Sequence, residues 1–463
     1  MLEQAITQYH RMLDPSTAQI TLKHLNKRQQ QYNLYFGNRP LATVLRPRFI
    51  SSEQKDLLES ACKLIATAVR RIAVAALEDQ TLRIELGLTP SEEVLISMHP
   101  GYTEPSIHSR MDTFLTLDSS SLQFVEYNAE SPAAIAYQDL LSTIFLELPI
   151  MQQFATHYTI QALPARNRLM GAILNTWQTF NGTKAPNIAI LDWNNVPTYP
   201  EFLLFQQHFQ KHGLHTIICT PDDLAYRDGT LFAHHYQAQT NQSAQAFPID
   251  IVYKRVLTSE ILNHYGEATF IHPLIQAYGD GKICLINSFR AKLLHKKALF
   301  AILTDDSYQD MFTTEEQTAI TKHIPWTRVC RAGNTTYNGQ PIELLDFART
   351  HREHLLLKPN DEYGGKGITV GWETDSNTWE EALAETLQSP FVLQERVVIA
   401  YEDYPTLIDG GVHISQRLVD SDPFLFGTDV EGCLTRLSTQ TLLNVTAGGG
   451  STVPTFVIET TTQ

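Results

Sequence analysis

The sequence predicts a mixed α/β (α+β) protein, and three stretches carry that expectation. Residues 51–76 repeat apolar side chains at spacings of three and four, the period of a helix that buries one face. Residues 187–219 read strand, helix, strand, a βαβ unit that requires a parallel sheet. Beyond about residue 400, short apolar runs alternate with Gly/Asp turns, the pattern of an all-β segment.

The chain has 463 residues, a length that suggests about three domains. It is 43% hydrophobic and 18% charged, the composition of a globular protein with ample core. A net charge of −15 argues against a nucleic-acid backbone or an anionic membrane as main partner. It does not forbid an anionic substrate in a local basic pocket. The five cysteines are scattered and never in C-x-x-C spacing, so free thiols in a reducing cytoplasm are expected. The start, Met-Leu-Glu-Gln-Ala, lacks the pattern of a signal peptide. No apolar run approaches the ~18 residues that a membrane-spanning helix needs.

In chain order, residues 1–50 read as a helix and then an extended connector. Ser51-x-x-Gln54 opens the next helix as a capping box, and Leu58, Cys62, Ile65, Val69, Ile72 and Ala76 form its buried stripe. Residues 106–132 follow as two strands around the turn Asp118-Ser-Ser-Ser121. Helices are expected over 133–148 and 166–180. A strand at 187–191, a helix at 199–212 closed by Gly213, and a strand at 215–219 make the βαβ unit. The Gln-rich stretch 221–247 reads as loop, with short strands at 249–253 and 283–286. A capped helix over 287–303 carries Lys292, Lys296 and Lys297, which read as a solvated basic face. A helix at 314–323 and a poorly patterned piece to 350 come next. Thr378-x-x-Glu381 caps a helix to 388, and 391–399 is a strand too apolar for an edge. Strands at 411–418, 424–427, 433–437 and 453–458 complete the chain, with Gly448-Gly-Gly450 as a further loop.

Two stretches point to chemistry. In the first hairpin Arg110 and Asp112 share one face of their strand, and Glu126 and Asn128 share one face of theirs. That face is either a hard-oxygen site of the kind Mg²⁺ uses with water and phosphate, or a solvated ion pair. The second stretch is Leu355-Leu-Leu-Lys-Pro-Asn-Asp-Glu-Tyr-Gly-Gly-Lys-Gly-Ile-Thr-Val-Gly371. It reads strand, glycine loop, strand, with Lys358 at the end of the first strand and Lys366 inside the loop. Bare backbone N–H groups and two lysines would cradle a polyphosphate, and an ordinary hairpin with solvated lysines is the alternative. Several motifs are absent: the P-loop, a dinucleotide fingerprint, G-x-S-x-G and H-E-x-x-H. The pair His351 and His354 lacks nearby partners for zinc.

Taken in order, the text runs Arg110-x-Asp112, Glu126-x-Asn128, Lys297-Ala-Leu-Phe, Lys358-Pro before glycines, then Gln394-Glu395 ending an apolar strand. This resembles the ATP-grasp fold, in the circularly permuted branch typified by the synthetase domain of glutathionylspermidine synthase. In that branch Glu-x-Asn precedes the nucleotide-binding lysines, as it does here. The run Phe-Val-Glu-Tyr-Asn-Ala-Glu-Ser-Pro is similar to that family's Glu-x-Asn-Ala-Asp-x-Pro signature. The resemblance spans about residues 100–463. It implies an N-terminal helical region at 1–98, a first ATP-grasp part carrying the hairpin at 99–182, an α/β pre-ATP-grasp domain at 183–290, and nucleotide-binding subdomains at 291–463.

It also implies roles. Asp112, Glu126 and Asn128 would hold one or two Mg²⁺ ions on ATP, and Arg110 would be catalytic, stabilising the phosphoryl group and the tetrahedral adduct. Lys297 (or Lys296 in its place) and Lys358 would contact phosphates. Tyr363, Gly364, Gly365, Lys366 and Gly367 would form the lid, Gln394, Glu395 and Val397 the adenine slot, and Arg436 a late phosphate contact. The implied reaction joins a small-molecule or peptide carboxylate to an amine through an acyl phosphate, with no covalent nucleophile on the protein. Glu130 and Ser131 depart from the signature, so glutathione and spermidine do not follow as substrates. No room is left for the amidase domain of the bifunctional enzymes. A kinase-like phosphotransferase and a non-catalytic nucleotide-binding module remain as alternatives.

Overall fold

A computed structural model describes residues 1–234, 246–439 and 450–461. The N-terminal piece forms two helices where one was expected, Leu2–Met12 and Pro15–Gln31. Asp14 restarts the helix by accepting the Thr17 N–H, and Pro15 suits the first helical position. Strand β1 (Arg48–Ile50) leads into helix α1 (Ser52–Ala76), which starts with the expected reciprocal Ser51–Gln54 capping box. The six stripe residues are all buried. Helix α2 (Pro90–Ser97) precedes the hairpin of β2 (His108–Leu115) and β3 (Leu122–Asn128).

The stretch expected to be helical between 133 and 180 contains helix α3 (Ile135–Leu146) and a further strand, β4 (Tyr158–Ala162). β4 exists because it pairs with the last strand of the chain, about three hundred residues away. The βαβ unit forms as expected from β5 (Ile188–Leu191), α4 (Tyr199–Lys211) and β6 (Thr216–Cys219), with β5 and β6 parallel. Residues 221–234 are not loop. Leu224–Arg227 and Thr230–His234 pair around Asp228-Gly229, both with positive φ, a two-residue hairpin turn. Ala246–Ile249 joins them; the rest of that expected loop lies outside the described residues. Next come β7 (Ile251–Lys254), α5 (Thr258–Tyr265) and β8 (Cys284–Ile286).

The expected helix over 287–303 is broken into α6 (Lys292–His295) and α7 (Ala298–Thr304), with Lys296 extended between them. Asn360 explains the break: its carbonyl accepts the Lys297 N–H and its Oδ1 the Ala298 N–H, capping the second helix from outside. The three lysines are not a solvated face. Lys292, Lys296 and Lys297 are all buried.

Helix α8 (Thr314–His323) matches its expectation. The poorly patterned piece after it holds β9 (Thr327–Val329) and a small hairpin. The glycine stretch gives β10 (Leu355–Pro359) and β11 (Thr369–Val370). The helix Ser376–Thr386 is capped by Asp375 rather than Thr378, because Asp375 accepts the Thr378 N–H. Strand β12 (Phe391–Glu395) is central, as its apolar text demands, but ends before 399. Strand β13 (Tyr401–Ile408) was not expected. Two expected strands fuse into β14 (Gly411–Phe426), with a register shift between Pro423 and Leu425. Strands β15 (Asp429–Ser438) and β16 (Ser451–Thr460) follow. Gly448 and Gly449 lie outside the described residues.

Three sheets dominate. The largest runs β1-β16-β15-β14-β2-β3, with β13 on β14 and β4 on β16. A parallel sheet runs β8-β7-β5-β6, and an antiparallel one β9-β12-β10-β11. In the parallel sheet the chain leaves β5 for β6 on one side and returns to β7 on the other. The gap at the ends of β5 and β7 is therefore a topological switch point, where open sheets admit ligands. All five cysteines are free and buried. Among the described residues no helix is long and apolar enough to cross a membrane.

Candidate functional site

Strand pairing builds one wall of the site. In the β2–β3 hairpin Arg110 lies opposite Asn128 and Asp112 opposite Glu126. Strand β14 flanks β2 on the other side, and β15 flanks β14, with Arg436 opposite Asp420. The result is a row of charge across four adjacent strands. Arg110 grips Asp112 side-on, Nε at 2.9 Å and Nη2 at 3.2 Å. Asn128 Nδ2 donates to the same carboxylate at 3.0 Å, and Arg436 Nη2 at 2.7 Å. Burial pushes the Asp112 carboxyl up, but Arg110 and then Arg436 outweigh it and hold it well below its ordinary range. Burial also pushes Glu126 up, and Lys297, 3.2 Å away, reverses the effect.

The facing wall comes from β10 and the glycine loop. Lys358 is 7% exposed and donates to the Val125 carbonyl at 3.0 Å. Burial pulls its ammonium down to about 8, with Glu126 opposing. Lys297 Nζ donates to the Glu362 carbonyl at the loop's start. Gly364, Gly365 and Gly367 take φ of +66°, +77° and +72°. A Cβ on Gly367 would stand 2.7 Å from Pro359 Cγ, whereas Gly364 and Gly365 face open space. Tyr363 is half exposed and its hydroxyl lies 3.5 Å from Glu260 of α5. Lys366 is exposed and pairs with Glu362 at 3.3 Å.

The loop's base is tied down. Asp361 is held by Lys292 at 2.6 Å and Lys296 at 3.0 Å. Lys296 also meets Glu92 of α2 at 2.9 Å, and Glu130 joins Lys254 at 2.9 Å to Lys292 at 3.4 Å. Lys296 is thus committed to Asp361 and Glu92, and Lys297 is the neighbour of Glu126.

Between the walls lies a cavity of about 670 Å³. Arg110, Asp112, Glu126, Asn128, Lys358, Tyr363 to Lys366, Gln394, Glu395, Val397 and Arg436 line it, and the expected Lys297 and Gly367 do not. One end is an apolar slot with Leu356, Ile368, Val370 and Trp372 beside Gln394, Glu395 and Val397. There the Gln394 amide already donates to Thr327 Oγ1 at 3.0 Å, and Glu395 accepts from Tyr337 at 2.8 Å. The other end opens on the switch point, where Asp192 follows β5 and Arg255 follows β7.

Sequence reasoning missed Asp420 and Asp422 beside Arg436, and Asp192, Arg255 and Glu260 at the far end. Asp-x-Asp inside an apolar strand was the available signal for the first pair. Burial pushes Asp192 up to about 6.

The donor set fits a hard divalent cation. Asp112, Glu126 and Asn128 offer oxygens on one wall, and three buried carboxylates there (Asp112, Asp420, Asp422) face two guanidinium groups, Arg110 and Arg436. Among the described residues no group of three His, Cys, Asp or Glu forms a dedicated metal cage.

No protein-family model and no curated protein sequence matches the chain. Solved structures do. A glutathione synthetase-like effector from Globodera pallida, solved in the apoform, aligns with a TM-score of 0.59 and 11% identity over 96% of this chain and 98% of that chain. A "Putative gamma-glutamylcysteine synthetase" from Methylobacillus flagellatus KT aligns with a TM-score of 0.43 and 11% identity over 88% and 89%. The fold is similar to that of the glutathione synthetase-like protein along nearly the whole chain.

Proposed function

We propose that this chain is an ATP-dependent carboxylate–amine ligase that forms an amide or peptide bond through an acyl phosphate. In this reading it is a permuted ATP-grasp enzyme resembling glutathionylspermidine synthase without an amidase domain. The hairpin lies in residues 99–182, the parallel sheet in 183–290, and the nucleotide subdomains in 291–463. One observation carries the reading. The acidic hairpin and the glycine loop, about 230 residues apart in sequence, face each other across one cavity. The fold likeness to a glutathione synthetase-like protein supports it.

The residues divide the work. Lys358 and Lys297 meet phosphate oxygens, and the loop 363–367 covers them and excludes water. Asp112, Glu126 and Asn128 would hold Mg²⁺, which screens the charge of the transferring phosphoryl group when bound. The substrate carboxylate attacks the γ-phosphorus and ADP leaves. The amine then attacks the acyl carbon and inorganic phosphate leaves. Arg110 stabilises the phosphoryl oxygens and then the oxyanion of the adduct. The adenine ring fills the apolar slot beside Gln394, Glu395 and Val397, where the Gln394 and Glu395 side chains and the Glu395 and Arg396 N–H groups are already engaged, which leaves Val397 to read the ring edge.

The test is phosphate release with pools of acids and amines. The ligase reading expects release only when both partners are present. A stable phosphorylated product made without any amine would identify a phosphotransferase instead.

A further inference from the structure

Asp420 and Asp422 take no part in the steps above, yet they are among the most buried acids in the chain, at 1% and 0% exposed. They sit two apart on β14 and so face the same way. Asp420 accepts both the backbone N–H and Nε of Arg436, each at 3.0 Å. Asp422 stands 2.8 Å from Arg436 Nε and 4.0 Å from Arg110 Nε. The same guanidinium reaches Asp112 at 2.7 Å. Arg436 is therefore hydrogen-bonded to two acids, Asp420 and the proposed cation ligand Asp112, with Asp422 close beside it but making no hydrogen bond of its own. Asp112 cannot turn to a cation while Arg436 leans on it, unless Arg436 keeps other partners. A buried guanidinium stripped of its only partner is strongly unfavourable.

We propose that Asp420 and Asp422 are positioning residues that keep Arg436 paired at the cavity wall when Asp112 turns to a divalent cation. Arg436 then exchanges Asp112 for a nucleotide phosphate without losing its place. Removing one of the two acids shifts Arg436 onto Asp112, and the cation must compete for that carboxylate. The inference rests on the nucleotide-and-cation site of the ligase reading.

The experiment is titration calorimetry on the full chain, first with a non-hydrolysable ATP analogue without metal, then with Mg²⁺ added to the complex. Asp420→Asn is expected to weaken Mg²⁺ binding about tenfold while metal-free binding of the analogue holds or tightens. Asp420→Glu is expected to restore it. Asp422→Asn provides an independent second variant with the same expectation. Wild-type Mg²⁺ affinity in both Asn variants overturns the inference and leaves the ligase reading standing. So does a parallel loss of analogue and Mg²⁺ binding that Asp420→Glu does not restore, the mark of a merely structural role. A wild-type protein that binds no ATP analogue overturns both.

Discussion

Lys358 is a cation held inside the protein by one carbonyl, and burial lowers its ammonium to about 8. Phosphate oxygens would raise it again. Nucleotide binding at pH 8.5 should therefore take up a proton, seen as a buffer-dependent heat in calorimetry. Lys358→Met should lose that uptake. Glu126→Gln should cut ATP turnover by about 10²-fold or more through loss of metal clamping; turnover like the wild type would contradict the metal assignment. Asp192 offers a third check. Burial raises its carboxyl from 3.8 to about 6 in the folded chain. The folded state thus holds a proton that the unfolded chain has released, and stability falls as pH rises through that window. Asp192→Asn should be more stable at pH 7.5 by up to about 3 kcal/mol and no different near pH 3.5, as read by urea denaturation. At this scale Arg110, Asp112, Glu126 and Asn128 were legible because a strand's period of two puts them on one face. Asp420 and Asp422 were not. Their Asp-x-Asp spacing marks them as a pair, but their meaning depends on Arg436 on the neighbouring strand, which that spacing does not reveal.

The glycine loop is the element on which the site depends. Gly364 and Gly367 both have positive φ, a conformation that costs an alanine about 1–2 kcal/mol. Only Gly367 adds a clash, with Pro359 at the end of β10. Gly367→Ala should weaken nucleotide binding about tenfold, and Gly364→Ala clearly less; equal effects would place the cost in backbone freedom alone. Elements set by local chemistry were readable, such as α1 with its Ser51–Gln54 box and α8 over its expected span. The break between α6 and α7 was not, because Asn360, some sixty residues later, supplies the cap. Strand β4 needed β16 to exist. The Asp228-Gly229 hairpin is different: its turn signal stands in the sequence, inside a Gln-rich stretch that reads as loop.

For the whole molecule, composition and the βαβ unit announced a mixed fold with a parallel sheet. They could not show that the largest sheet gathers strands from residue 48 to residue 460, or that the switch point opens on the same cavity as the glycine loop. Long-range closure of this kind is decided by tertiary pairing. It predicts coupling: an ATP analogue with Mg²⁺ should slow amide exchange in both β3 and β10, although they belong to different sheets. Protection of β10 alone would separate the two halves of the site. The central claim is the acyl-phosphate route, and oxygen tracing reaches it most directly. With a substrate pair found by phosphate release, the acid is supplied with ¹⁸O in its carboxylate. Inorganic phosphate carrying one ¹⁸O atom per turnover is the predicted result. Unlabelled phosphate, formed while the amide accumulates, would contradict the account.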